Sequence, residues 1–342
     1  MQIRGKIPKA GLLLFEAKWF LDLGIGKQGG SIGDLGTLLK KEIKKIETSL
    51  EAKVKLVNPG IIFDIDSARS ALDLFQKEKV DLVIVCYLTW AEDKAWIEIL
   101  KNIGDIPVLY WEYMTGFYTT GQYSPLELYH NSGIVGALQG SGSLKRFGKK
   151  FKLVMGRADE DRTVSKIVSF AKAAMVKNIL KDSTIGLLPF RNDQMKSTCM
   201  DEYLILRKIG SILQILTIAE LKEESLKIGE ARAEEFMQLN MKNYNLDSRV
   251  KKSDFLQACR VSLAMSDIYL RYNLDALAIN DVCDELHGNV GLRPCLYPDI
   301  YNEIGAVIGL EGDIACTLAM YIMYLFTGKP VGFTEILNFN PK

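Results

Sequence analysis

Histidine is almost absent from this chain, with two residues, His130 and His287, in 342. An all-histidine metal centre is therefore excluded. An excess of charge of either sign is also missing. Lys plus Arg number 43 and Asp plus Glu 42, a net charge of +1. Nothing draws such a chain to nucleic acid or to an anionic membrane surface. Long apolar runs are lacking too. The longest, LAMYIMYLF (318–326), falls well short of the ~18 residues a membrane helix needs and reads as a core helix. The apolar part of MQIRGKIPKAGLLLF is too short for a secretory signal. The six cysteines form no CxxC pair, and several sit in apolar runs such as VIVCYL and IACTLAM. They read as free thiols in a reducing compartment, so a cytoplasmic location is expected. No GxGxxG follows a strand, and the Walker lysine–hydroxyl pair is absent. The glycines of SGIVGALQGSGS therefore read as close packing of a helix against a sheet rather than as a phosphate cradle.

What is present suits two globular domains. The length exceeds that of one ordinary domain, and 48% of residues are apolar, enough to build cores. AGLLLF (10–15), VDLVIVCYL (80–88) and PVLYWEY (107–113) are short apolar runs. They alternate with DLGTLLKKEIKKIETSL (34–50), SARSALDLFQKEK (67–79) and AEDKAWIEILKNI (91–103), which carry apolar residues at helical spacing. All-apolar strands alternating with amphipathic helices predict a parallel sheet covered on both faces. The pattern continues through KFKLVMG (150–156) and a long helix at 159–180, then restarts at TIGLLPF (184–190). The expected fold is α/β, with two doubly wound, Rossmann-like domains spanning 1–180 and 181–329. Residues 330–342 are expected to begin a strand. In such sheets ligands bind beyond the carboxyl ends of the strands.

Near the end, GLEGDIACTLAMYIMYLFTGKPVGFTEILNF (309–339) holds Glu311 and Glu335 at either side of a helix and a strand-like run. A helix over 313–326 rises roughly 21 Å. An antiparallel strand from Pro330 regains roughly 17 Å by Glu335. The two carboxylates can therefore meet. Paired buried acids repel unless one is protonated or a cation lies between them, and a divalent ion with a preference for oxygen suits the second case. Unrelated solvated acids are the alternative, and Glu311 or Asp313 could simply favour the helix N-terminus.

Glu-Gly-Asp opening a helix, followed by Phe-Thr-Glu, resembles the L-fucose and L-arabinose isomerase superfamily. AGLLLFEAKWFLDLG (10–24), VDLVIVCYLTW (80–90), LYHNSGIVGALQGSGSLKRFGKKFKLVMG (128–156), LPFRNDQM (188–195) and LRPCLYPDIYNEIGAVIGLEGD (292–313) are similar to its segments, in its order. The resemblance implies a metal-dependent aldose–ketose isomerase working through an enediol. Glu311 and Glu335 would be both catalytic acids and ligands of Mn²⁺, with Mg²⁺ or Co²⁺ as alternatives. Sugar contacts would come from Trp19, Trp90, Tyr118, Gln122, His130 and Met195, although Trp19, Trp90 and Met195 could equally be core residues. The family adds a β-rich third domain with a further histidine ligand, which this sequence does not contain. The resemblance also implies a homo-oligomer, a trimer or hexamer, or a separate chain that supplies the third domain. A non-catalytic sugar-binding or assembly module is the competing expectation. His287, just before Gly288, is expected at a helix C-terminus.

Overall fold

The computed structural model describes residues 6–22, 34–116, 121–242, 246–294, 296–297, 307–336 and 338. The chain divides into two compact units at Met175/Val176. The first contains β1 (Lys9–Phe15), α1 (Lys18–Asp22), α2 (Leu35–Leu50), β2 (Lys55–Val57), β3 (Ile61–Ile62), α3 (Ile65–Glu78), β4 (Leu82–Tyr87), α4 (Asp93–Asn102), β5 (Val108–Tyr113), α5 (Pro125–His130), α6 (Gly133–Arg146), β6 (Phe151–Gly156) and most of α7 (Asp161–Lys181). Its strands pair in parallel in the order β2-β1-β4-β5-β6, with β3 pairing the far end of β1. β1 and β4 lie inside the sheet and are buried on both faces, which is why they are apolar throughout. One face packs Leu12, Leu14 and Trp111 against Leu39 and Ile46 of α2, and the other packs Leu13 and Phe15 against Phe75 of α3 and Trp96 of α4. Each such side chain contributes about 1.5–3 kcal/mol by burial.

Glycines allow α6 to lie on β4. A Cβ on Gly133 would fall 2.3 Å from the Tyr87 carbonyl oxygen, and one on Gly140 would fall 2.4 Å from the Tyr87 hydroxyl. Close packing thus accounts for the glycine-rich run. Helix starts follow local chemistry. Asp64 and Ser67 form a capping box for α3, and Asp34 accepts the Thr37 N–H ahead of α2.

The second unit contains β7 (Thr184–Leu188), α8 (Glu202–Lys208), β8 (Ile212–Ile215), α9 (Ile218–Lys227), α10 (Glu230–Met241), α11 (Lys252–Arg271), β9 (Ala276–Ile279), α12 (Asp284–Val290), β10 (Val307–Gly309) and α13 (Ile314–Thr327). Its four strands are parallel in the order β10-β9-β7-β8. Both units are therefore α/β with wholly parallel sheets, as the all-apolar strands predict.

The charged stretch 217–241 forms two helices, because the backbone turns extended at Ile228 and Gly229. α12 runs past Gly288 and ends at the left-handed Gly291, so His287 lies in its last turn, as expected. The strand expected at 330–342 is corrected. Residues 331–336 form no strand. Val331 and Phe333 do turn towards the core beside α13, but no neighbouring strand among the described residues pairs with them. The alternating pattern there reflects side-chain anchoring without a hydrogen-bonded ladder.

Candidate functional site

In the second unit, β7 leads to β8 on one side and the chain then returns to β9 on the other. The strand order therefore reverses between β7 and β9, the usual place for a ligand crevice in an open α/β sheet. Polar residues follow the carboxyl ends of the strands there: Asn192 after β7, Asn280 and Asp281 after β9, and Glu311 after β10. Asn192, Asn280 and Asp281 are 2%, 3% and 3% exposed. Asn192 Nδ2 and Asn280 Oδ1 are buried with no hydrogen-bond partner among the described residues. Buried amide atoms are ordinarily paired, so two orphans beside one strand-end crevice mark a place where a ligand can complete the bonding.

Glu311 lies in a tight turn with φ of +59°, followed by Gly312 at +65°. Its N–H donates to Asp281 Oδ1 at 2.9 Å. Asp281 Oδ2 in turn accepts from Arg293 Nη2 at 2.8 Å. The Gly312 N–H donates to the Ile279 carbonyl at 2.8 Å. A Cβ on Gly312 would crowd Asn280, Asn192 and Phe190, at 3.3–3.4 Å, so the turn is seated tightly in the strand-end crevice. The helix-capping role belongs to Asp313, whose carboxylate accepts the Cys316 N–H at 2.8 Å. Glu311 is therefore released from the bland role that its sequence position allowed.

Glu335 lies in the irregular segment after α13 and is exposed. The sequence expectation of a buried position for it is corrected, because no ladder draws this segment into the sheet. The negative charge of Glu335 nonetheless acts on Glu311. The Glu311 carboxyl is held above the ordinary carboxylate range, first by burial and then by the negative charges of Glu335, Asp281 and Asp313, with Arg293 opposing. Carboxylate oxygens are the donors that a hard divalent cation such as Mn²⁺ or Mg²⁺ prefers. Among the described residues no cluster of three or more His, Cys, Asp or Glu side chains could hold a metal ion. Met195, after β7, is 37% exposed, and its carbonyl accepts from Thr198 Oγ1 at 2.7 Å.

In the first unit the strand order reverses between β1 and β4. The segments beyond those strands carry Trp19 and Trp90. Their ring centroids lie 6.3 Å apart, and Trp19 also meets Phe20 at 4.3 Å and Tyr129 at 6.1 Å. Trp19 is 37% exposed. The Trp90 indole N–H donates to Gln139 Oε1 at 2.8 Å, and the Trp90 backbone N–H donates to Ser132 Oγ at 2.9 Å. His130 is 8% exposed, and its Nε2 faces Glu42 Oε1 at 3.8 Å. Burial holds its pKa below the usual value, with Glu42 opposing and Lys45 adding to the depression. Glu42 also accepts a short hydrogen bond from the Tyr113 hydroxyl. Gln122 is exposed, and Tyr118 lies outside the described residues.

Several polar residues were not anticipated from sequence. Glu16, directly after β1, is 1% exposed, and its Oε1 has no partner among the described residues. Burial raises its pKa to about 7. The signal was an acid set immediately behind the apolar run AGLLLF. Asp281, Asn192 and Asn280 come together only through the topology of the second sheet.

No protein-family model matches the chain. The chain is 21% identical over 274 residues to the sulfoquinovose isomerase of Priestia aryabhattai. It shows the same identity over the same length to that of Priestia megaterium (strain ATCC 12872 / QMB1551). Each alignment covers 78% of this chain and 58% of the relative. The chain thus spans a little over half the length of these relatives. What it is similar to, at this distance, is a sugar isomerase.

Proposed function

We propose that this chain is an aldose–ketose isomerase, or the part of one that bears its acid pair, acting at the carboxyl ends of β7, β9 and β10. The observation that carries this reading is Glu311 seated in the left-handed turn at the strand ends, its carboxyl held above the ordinary range by burial and then by the charge of Glu335. The similarity to sulfoquinovose isomerases supports the sugar-isomerase class, and its ordered motifs resemble the L-fucose and L-arabinose isomerases.

Isomerisation moves a proton between C2 and C1 of an aldose and consumes no redox equivalents. One carboxylate accepts the C2 proton, the C1 oxygen gains a proton, and an enediol results. Return of a proton to C1 and loss of one from the C2 hydroxyl give the ketose. A glutamate whose pKa is raised by burial and by a like charge is suited to accept a proton and give it back. Glu311 and Glu335 would hold Mn²⁺, with Mg²⁺ or Co²⁺ as alternatives, and the ion would polarise the two sugar oxygens as a Lewis acid. Asn192 and Asn280 offer a donor and an acceptor to sugar hydroxyls. Met195 belongs to the same rim, and Trp19, Trp90, Tyr118, Gln122 and His130 supply further sugar contacts in a homo-oligomer. The subunits form a trimer or hexamer, or a separate chain completes the site.

A second reading is a non-catalytic sugar-binding or assembly module. The exposed position of Glu335 outside any strand favours it. Ketose formation separates the two. The purified chain should convert one of sulfoquinovose, L-arabinose or L-fucose to its ketose with Mn²⁺ and stop on chelation. Sugar binding that is indifferent to chelator, with no ketose from any aldose, would establish the module instead.

A further inference from the structure

We propose that Asp281 is a positioning residue that holds Glu311 in its left-handed turn, with Arg293 holding Asp281. The inference deepens the reading of Glu311 as an active-site ligand and rests on it.

A residue with a Cβ is disfavoured at φ of +59°, and such a conformation persists only where its surroundings impose it. Three backbone bonds impose it here. The Glu311 N–H donates to Asp281 Oδ1 at 2.9 Å, the Gly312 N–H to the Ile279 carbonyl at 2.8 Å and the Asp313 N–H to the Leu310 carbonyl at 3.0 Å. Only the first is made by a side chain. It crosses from the end of β9 to the end of β10, so it ties the turn to the neighbouring strand.

Asp281 is itself fixed. It is 3% exposed. Its second oxygen accepts from Arg293 Nη2 at 2.8 Å, and its carbonyl lies 2.6 Å from His287 Nε2. Arg293 thus offsets the charge of a buried acid that would otherwise be costly next to Glu311. Without the Asp281 acceptor, the Glu311 N–H would lose its partner and the turn could relax towards negative φ. That change rotates the Glu311 side chain away from its present direction.

An asparagine at 281 keeps the acceptor oxygen and removes the charge, whereas an alanine removes both. The experiment therefore compares Asp281→Asn and Asp281→Ala by two readouts. The first is amide hydrogen exchange at Glu311 in metal-free protein. The second is Mn²⁺ affinity by electron paramagnetic resonance. Asp281→Ala should exchange Glu311 faster by about tenfold or more and weaken Mn²⁺ by roughly 10–100-fold. Asp281→Asn, which keeps an acceptor for the Glu311 N–H but loses the one for Arg293, should shift both far less than Asp281→Ala and about as much as Arg293→Gln. Arg293→Gln, which leaves the Asp281 acceptor in place but frees it, should loosen Glu311 exchange by a smaller factor, and it serves as the test if Asp281→Ala does not fold. Unchanged exchange at Glu311 in Asp281→Ala and Arg293→Gln would overturn the proposal. So would faster exchange with unaltered Mn²⁺ affinity. A wild-type protein that binds no Mn²⁺ would instead overturn the metal reading, and the exchange arm would still decide whether Asp281 pins the turn.

Discussion

The two sheets end in different chemistry despite sharing one topology. Each is wholly parallel and reverses its strand order once. Beyond the first lie clustered rings, Trp19, Trp90 and Tyr129, and the buried acid Glu16, whose pKa is raised by burial alone. Beyond the second lie acids and amides, Glu311, Asp281, Asn192 and Asn280, with Glu335 close enough to repel Glu311. The backbone thus decides where chemistry can be placed, and the few residues after each strand decide what that chemistry is. Rings offer flat apolar faces to a sugar. Paired carboxylates offer proton transfer and cation binding.

The comparison breaks most readily at Glu311. Glu311→Gln removes the proton acceptor, and kcat for ketose formation should fall by roughly 10²–10⁴-fold in a steady-state assay. The first unit should respond through stability instead. Gly133→Ala drives a Cβ against the Tyr87 backbone oxygen and should cost about 3 kcal/mol, read from urea unfolding.

Glu16 sharpens the contrast through pH. Its proton is held more tightly in the folded chain, where the pKa is about 7, than in the unfolded one, where it is 4.5. Folding therefore takes up a proton between those values, and stability falls as the pH rises through that window. The full penalty, about 3 kcal/mol, is present only above about pH 7. Glu16→Gln should match the wild type near pH 4.5 and exceed it at pH 8 by up to that amount. A gain that did not depend on pH would show that the acid is not buried as described. The smallest effect belongs to the rings. Trp90→Ala should raise KM for the aldose by about tenfold, with kcat changed far less, because a stacking contact serves bound substrate and transition state alike.

Much of this was legible in the sequence. Strands buried on both faces must be apolar, so AGLLLF and VIVCYL announced a covered parallel sheet. The acid pair could be singled out because Glu311 opens a helix and Glu335 sits among apolar neighbours. Two things hid the rest. Alternation in VGFTEILNF cannot tell whether a strand has a partner, and here Val331 and Phe333 pack against the core without lying in a strand. Asp281, meanwhile, is distant in sequence from the Glu311 backbone it holds, and only the pairing of β9 with β10 brings them together.

The central claim is proton transfer by the acid pair at the end of the second sheet. It is tested most directly with an aldose deuterated at C2, followed by NMR in water with the wild type, Glu311→Gln and Glu335→Gln. The account predicts that wild-type protein with Mn²⁺ forms ketose and releases C2 deuterium to solvent, and that both variants lose this activity. Ketose formed at wild-type rates by either variant would contradict it.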